Sequence, residues 1–342
     1  MVLRDSLGID IKFEEDSIKT YKIVRNGDYV AHLRSFQGGF AFSDKTGVCS
    51  PAYTILRPSE TISYGFLKPY FMSRKFIDSL RIVTYGIRDG KSISVEEWLK
   101  LYTCIPKANE QEKISKFLKL INERIETQKK VIEDFKKLKD AISKSLFSRH
   151  DLLETKVQIS QIGSLKNGYA FQSSSYDSSG EYEIITIANV SGERNIYTEE
   201  CNRIHTLPSD LQSHQELKDG DILISMTGNV GRVSLCKEGK YLLNQRVGLL
   251  QLQAGVNREF VYQALSSRQF ELSMISCGQG AAQMNIGKGD IENFAIPYSS
   301  NPQNLQHISL ILKSYDTLVL TENMRLQLLL GQKQYILSNM FI

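Results

Sequence analysis

Polar side chains with directed donors and acceptors gather in a few short stretches of the second half of the chain. They are Lys166, Asn167 and Tyr169; Thr227, Asn229 and Arg232; Asn244, Gln245 and Arg246; and Gln279, Gln283 and Asn285. Arg, Asn, Gln, Ser and Thr are the types that tell one nucleotide base edge from another, Arg matching guanine and Asn or Gln matching adenine. Lys and Arg also hold phosphates, where they fix position and carry no sequence information. In the first half the corresponding set is Arg34, Ser35, Gln37, Arg88, Lys91 and Ser92. Asn and Gly also collect in turns for backbone reasons, and Asn244 and Gln245 fit equally well as structural polar residues at a strand. The clusters therefore carry more weight than any single member.

No set of residues for bond-making chemistry stands beside them. The 7 prolines are never adjacent, so an Asn-Pro-Pro-Tyr-like methyltransferase turn is missing, and Asn301-Pro302 runs into Gln303-Asn304. The stretch from Gly86 to Ser92 is one residue short of a phosphate-cradling loop and lacks its strand-then-helix setting. Pro208, Asp210, Glu216 and Lys218 are spaced too tightly for the carboxylate-lysine set of a metal-dependent nuclease. His32, His150, His205, His214 and His307 show no ligand spacing, and the 5 cysteines form no CxxC pair, which argues against a disulfide framework or a thiolate metal site. The expectation is a chain with no catalytic residue and no metal.

The elements that position these residues come next. At 342 residues the chain exceeds one ordinary hydrophobic core, so two domains or an internal repeat is expected. Hydrophobic residues at 41% and charged residues at 23% are ordinary globular values, and a formal charge of +4 is too small to diagnose a nucleic-acid partner by itself. No apolar run is long enough to span a bilayer, and Met1 to Asp16 lacks the order of a signal peptide. A protein of the reducing cytoplasm with no membrane association is expected.

The chain repeats itself in outline. Val24-Arg25-Asn26-Gly27-Asp28-Tyr29-Val30 resembles Leu217-Lys218-Asp219-Gly220-Asp221-Ile222-Leu223, both reading as a turn entering a strand. Ile105-Pro106 matches Ile296-Pro297, each closing a strand-like stretch before a long helical pattern. From there the match is ungapped: Ile114, Leu118, Ile121, Ile125, Ile132, Phe135, Ile142 and Leu146 map onto Ile308, Leu312, Tyr315, Val319, Leu326, Leu329, Ile336 and Met340. Steps of four and three give a 3.5-residue period, the pattern of a coiled-coil helix. Two helices, Asn109 to Ser148 and Gln303 to Ile342, would each be about 60 Å long. Strand-like runs such as Tyr182 to Ala188 and Asp221 to Ser225, separated by Gly, Asn and Ser turns, predict mixed α/β globules before each helix. The fold class is α/β: residues 1–106 form globule one, 107–149 helix one, 150–300 globule two and 301–342 helix two.

Polar residues interrupt both seams at equivalent places, Gln128 and Lys139 in the first, Glu322 and Lys333 in the second. A buried seam charge needs a partner. Antiparallel helices with Gln128 opposite Lys333 also bring Lys139 opposite Glu322, because a step forward on one helix is a step back on the other. That register pairs Ile121 with Met340 and Leu146 with Tyr315, and it gives the two globules a pseudo-twofold relation that suits a duplex.

These residues resemble the specificity subunits of type I restriction-modification enzymes. The marks are Ile105-Pro106 with Asn109-Glu110-Gln111 and Ile114, the paired Ile296-Pro297 through Gln306 and Ile308, and the turns at Gly27-Asp28 and Gly220-Asp221. Met226-Thr227-Gly228-Asn229-Val230-Gly231-Arg232, Leu243-Asn244-Gln245-Arg246-Val247-Gly248 and Gln283-Met284-Asn285-Ile286 agree. The resemblance covers nearly the whole chain and implies two target-recognition domains, each followed by a conserved helix, while the antiparallel coiled coil is expected from the seam residues above. The implied function is non-catalytic recognition of an asymmetric bipartite site on double-stranded DNA in a phage-defence system. By the same resemblance, the chain would position methyltransferase (M) and restriction (R) subunits, and S-adenosylmethionine, ATP and Mg belong to those partners. Nothing in the first half matches Ser164-Leu165-Lys166-Asn167-Gly168-Tyr169-Ala170-Phe171, so globule one is expected to be shortened at its N-terminus. The alternative is a coiled-coil adaptor with lost or partial DNA recognition.

Overall fold

The structure is a computed structural model that describes residues 18–33, 39–85, 92–278 and 284–340. Contacts divide the chain into two compact units, Met1–Lys130 with Asn323–Ile342, and Val131–Glu322. Both units are mixed α/β, and part of each long helix belongs to each unit.

In the first unit β1 (Lys22–Val24) pairs with β4 (Gly47–Cys49), and β2 (Tyr29–Ala31) lies between β3 (Phe40–Phe42) and β5 (Thr54–Leu56). The short helix α1 (Leu67–Tyr70) leads into α2 (Arg74–Ile82). The Ser73 side chain caps the start of α2 by accepting from Phe76 N at 3.3 Å, which satisfies one of the free amides of the first turn. The hairpin β6 (Thr84–Tyr85) and β7 (Ser92–Ile93) precedes α3 (Val95–Leu99). Tyr29, Phe71, Phe76 and Leu80 form the core, with Phe40, Phe42 and Trp98 packed around them. The rings meet edge-on or tilted, as Tyr29 and Phe71 do at 5.2 Å between centroids, the arrangement that aromatic quadrupoles favour. Burial pushes the Tyr29 phenol up to about 12.

The second unit repeats this plan and enlarges it. Here β13 (Ile222–Ser225) lies between β14 (Val233–Leu235) and β16 (Val247–Leu252), as β2 lies between β3 and β5, and β12 (Glu216–Leu217) pairs with β15 (Tyr241–Leu243), as β1 pairs with β4. The Gly-Asp turns make corresponding hydrogen bonds. Asp28 Oδ2 accepts from Arg25 N and Asp221 Oδ2 from Lys218 N, both at 2.8 Å, and Gly27 and Gly220 sit at φ of 95° and 79°, where a side chain is strained. Three strands are additional. β9 (Gly163–Asn167) pairs with β16, while β10 (Tyr182–Ile185) and β11 (Asn202–Ile204) widen the sheet of β15. Among the described residues the first unit has no counterpart of these three.

The short helix α5 (Ile159–Ile162) leads into β9, and the helices α6 (Arg258–Leu265), α7 (Arg268–Cys277) and α8 (Lys288–Glu292) cover the second unit's core. β8 (Thr155–Gln158) pairs with β17 (Ala295–Tyr298), which contains Ile296-Pro297. Ile105-Pro106 behaves differently: it lies in irregular chain and not in the expected strand, and among the described residues no strand pairs with it.

The long helices are α4 (Ala108–Phe147) and α9 (Pro302–Met340). In the second unit Lys139 Nζ donates to Asp316 Oδ1 at 2.5 Å, and Asn304 Nδ2 donates to the Leu152 carbonyl at 3.0 Å, so the two stretches there run antiparallel. The partner of Lys139 is thus Asp316 and not the expected Glu322, about 9 Å further along the helix. In the first unit Met340 shares a cavity with Ile114, one heptad from its expected neighbour Ile121, and Lys333 lines a cavity against Met72, Arg74 and Ile77. The expected register is corrected, and with it both pairings it tied together, Lys139 with Glu322 and Gln128 with Lys333. The physical reason is the period of the seam. A slip of one heptad puts apolar residues on apolar residues again, so the seam cannot select a register. No helix among the described residues is long and apolar enough to cross a membrane.

Asp28, 2% exposed at its side chain, receives Arg57 through Nε and Nη2, both at 2.9 Å, and this bond holds its carboxyl below the usual range. A depressed carboxylate adds stability above its unfolded value of about 3.9 and loses it as pH falls through the folded value. Asp28→Asn is expected to lower stability by about 1–3 kcal/mol at pH 7. In urea unfolding the gap from the unmodified protein should be smaller at about pH 3 than at pH 7. An equal gap at both pH values would refute the ion pair's role.

Candidate functional site

Three strand ends of the second unit converge on one edge of a sheet. β9 ends at Asn167 opposite Gly248, β13 ends at Ser225 opposite Val247, and β16 begins there. The chain leaving each strand carries the polar residues singled out by type: Lys166, Asn167 and Tyr169 at the end of β9, Thr227, Asn229 and Arg232 between β13 and β14, and Asn244, Gln245 and Arg246 before β16.

Backbone hydrogen bonds tie these segments together. Tyr169 N donates to Leu243 O at 2.8 Å, Gln245 N to Tyr169 O at 2.9 Å, and Met226 N to Arg246 O at 3.0 Å. A fourth segment joins from after α7, with Ile286 N donating to Met226 O and Gly228 N to Met284 O, both at 2.9 Å. Thr227 Oγ1 donates to Asn285 Oδ1 at 3.1 Å, which aims the Asn285 amide. Residues far apart in sequence thus share one rigid surface.

Asn167, Asn229, Gln245, Arg246 and Asn285 are exposed, and Lys166, Tyr169, Thr227, Arg232 and Asn244 are half-buried. Asn244 is partly structural, since its Oδ1 accepts from Arg246 N at 3.2 Å and shapes the turn. The aliphatic stem of Arg232 lies over Gly192. Tyr169 donates its hydroxyl to Asp210 at 2.8 Å, and this bond raises the phenol's pKa. A phenol so held stays protonated at neutral pH, a donor and not a nucleophile. The surface thus offers fixed donors, acceptors and the positive charge of Lys166, Arg232 and Arg246.

Two residues here gave no usable signal in the sequence. Asp210 holds Tyr169, and a His214 ring nitrogen lies 3.1 Å from the Asn167 carbonyl. Both come from one loop more than forty residues away in the chain, so only the fold links them to the cluster. Ser92 is exposed and opens β7, opposite Tyr85. Arg34, Ser35, Gln37, Arg88, Lys91, Gln279 and Gln283 lie outside the described residues. Among the described residues no cluster of three or more His, Cys, Asp or Glu is arranged to hold a metal ion.

Residues 154–330, more than half of the chain, match the family described as Type I restriction modification DNA specificity domain. The chain is similar in structure to a solved protein from work on complex assembly and conformational transition of the type I R-M system. That match has a TM-score of 0.60 and 17% identity, covering 92% of this chain and 82% of the other. It is also similar to the S subunit of a type I restriction-modification system from M. genitalium, with a TM-score of 0.54 and 16% identity, covering 94% of this chain and 84% of the other. No curated protein sequence matches it. At such identities the structures speak for the fold, while the family match rests on the sequence of residues 154–330.

Gly168 marks how closely the segments approach. A Cβ there would overlap the Asn244 carbonyl and stand 2.5 Å from Leu243 O, backbone atoms that the sheet holds in place. Gly168→Ala is expected to cost about 3 kcal/mol. Gly47→Ala, which meets nothing within 4 Å, should stay within about 0.5 kcal/mol. Thermal unfolding of the two variants side by side checks this, and equal losses would show that the segments can separate freely.

Proposed function

We propose that this chain, which belongs to the type I restriction-modification DNA specificity family, reads double-stranded DNA through the strand-end cluster of its second unit. The observation that carries the proposal is the convergence of four segments rich in Lys, Arg, Asn, Gln and Thr on one sheet edge, locked by backbone hydrogen bonds. Such a surface can present base-reading donors and acceptors without reorganising, and its three cations suit phosphate contacts.

The wider reading is an asymmetric, bipartite site, with the first unit contributing the other reading surface. The shared Gly-Asp turns and the shared arrangement of three neighbouring strands support two related readers, and the antiparallel run of α4 and α9 within the second unit supports their pairing as a coiled coil. The chain itself does no chemistry. It positions methyltransferase and restriction subunits, to which S-adenosylmethionine, ATP and Mg belong, in the cytoplasm.

One observation favours a second reading, an adaptor with partial recognition. β9 and the chain leaving it supply Lys166, Asn167 and Tyr169 to the second unit, and the described first unit has no counterpart of that strand.

Selection from a randomised duplex pool, using the chain purified with its methyltransferase partner, separates the readings. Two sequence blocks with an unread spacer are expected. One block supports the adaptor, and none overturns the proposal. Arg246→Ala should lose about 1–3 kcal/mol of discrimination at its own base pair, while Lys166→Ala should weaken all sequences alike and flatten the salt dependence by about one unit. The lone chain should neither methylate nor cleave, and the complex should methylate adenine in the selected site.

A further inference from the structure

A charge network in the second unit lies outside the strand-end cluster and is physically continuous with it. Asp316 of α9, 8% exposed at its side chain, accepts from Lys139 of α4 at 2.5 Å and from Arg194 Nη1 at 3.0 Å. Arg194 lies in the connection from β10 to β11 and makes a two-pronged bond to Glu259 of α6, at 2.7 and 2.6 Å. The Tyr262 ring lies below its guanidinium at 5.1 Å. Gln263 directs one amide group at both carboxylates, at 2.8 Å to Glu259 and 2.7 Å to Asp316.

The same turn reaches the recognition loop. Glu193 pairs with Lys136 of α4 at 2.5 Å. On its other side the turn is bound to β14, with Ser234 Oγ donating to Glu193 O and Leu235 N to Arg194 O, both at 2.7 Å. Gly192, the next residue back, is the floor on which the Arg232 stem rests, 3.6 Å from where a Cβ would stand. Arg232 in turn fixes the end of the 226–232 loop, its amide and carbonyl both bonded to Ser225. A continuous set of contacts therefore runs from the long helices through residues 192–194 to one of the side chains placed to read DNA.

We infer that Asp316 is a positioning residue for Arg232: by holding Arg194 against the helices it sets the turn that carries the Arg232 side chain. The inference rests on the DNA-reading role proposed for the cluster. It differs from a general contribution to stability because it acts on one reader. Asn167, Gln245 and Arg246 hang from β9 and β16, to which residues 192–194 make no hydrogen bond among the described residues.

The test is the same selection from a randomised duplex pool, read one base pair at a time, on the complex with its methyltransferase partner. Arg232→Ala first identifies the base pair that Arg232 reads, where discrimination should fall by about tenfold or more. Asp316→Asn should reproduce that loss at that base pair and change the others less than about twofold. Asp316→Glu, which keeps the charge, should restore most of it. Should Asp316→Asn fail to fold, Arg194→Lys keeps the charge and removes the two-pronged bond, and the same local loss is expected. A uniform loss at all base pairs, or none at any, overturns the inference while leaving the DNA-reading proposal intact. A native complex that selects no sequence overturns both.

Discussion

A carboxylate buried between two cations ties the two long helices to the β10–β11 connection in the second unit. Asp316, 8% exposed at its side chain, lies between Lys139 and Arg194, and breaking a buried ion pair by removing one partner costs about 3–5 kcal/mol. Burial alone would favour the neutral form of Arg194, yet Glu259 and Asp316 raise its pKa instead, and the Arg194 bond keeps Glu259 below its ordinary range despite burial. Two helices, the β10–β11 connection and α6 therefore meet at one point, where the four charged groups are bonded to one another.

That constraint does what the apolar seam cannot. If α9 slips by one heptad along α4, Leu, Ile and Val again meet their own kind, so the hydrophobic free energy changes little. What changes is the partner of Lys139, because the carboxylate that also accepts from Arg194 and Gln263 is Asp316. The second unit's core adds to the discrimination, because Leu305, Ile308 and Leu312 are buried with Phe260 and Ile296 and could not move together. Register here is set by charge and by globular packing, while the heptads supply the affinity between the helices.

This explains what could be read in the sequence and what could not. The heptad steps located both long helices within a residue or two of their observed ends, since a 3.5-residue period over forty residues has few other physical solutions. The repeat of Gly27-Asp28 in Gly220-Asp221 marked equivalent turns, because a positive φ and an Asp side chain accepting from a backbone amide three residues back need those residue types. The polar break at Lys139 was also visible. Its partner was not, since Asp316 falls one position outside the apolar series and is drawn inward by Arg194, a residue of a distant loop. Likewise the base-reading types were recognisable along the chain, but that four segments share one sheet edge, and that Asp210 and His214 support it, follows from strand pairing that no local pattern records.

The difference between the two units has a physical consequence for how each could read a ligand. In the second unit β9 lies beside β16 and so brings Lys166, Asn167 and Tyr169 to the edge, and its close passage at Gly168 fixes their height against Asn244. β10 and β11 extend the other sheet and carry the connection that holds Arg194, Glu193 and Gly192. The described first unit keeps the turn and the three-stranded sheet and lacks both additions. It retains an aromatic core around Tyr29 and Phe76, while among the described residues only the second unit has strands beside its polar segments on two sides. Each added strand fixes backbone that would otherwise have to be ordered at an entropic cost of about 1–2 kcal/mol per residue, so the added strands are what hold the second unit's polar segments at one height.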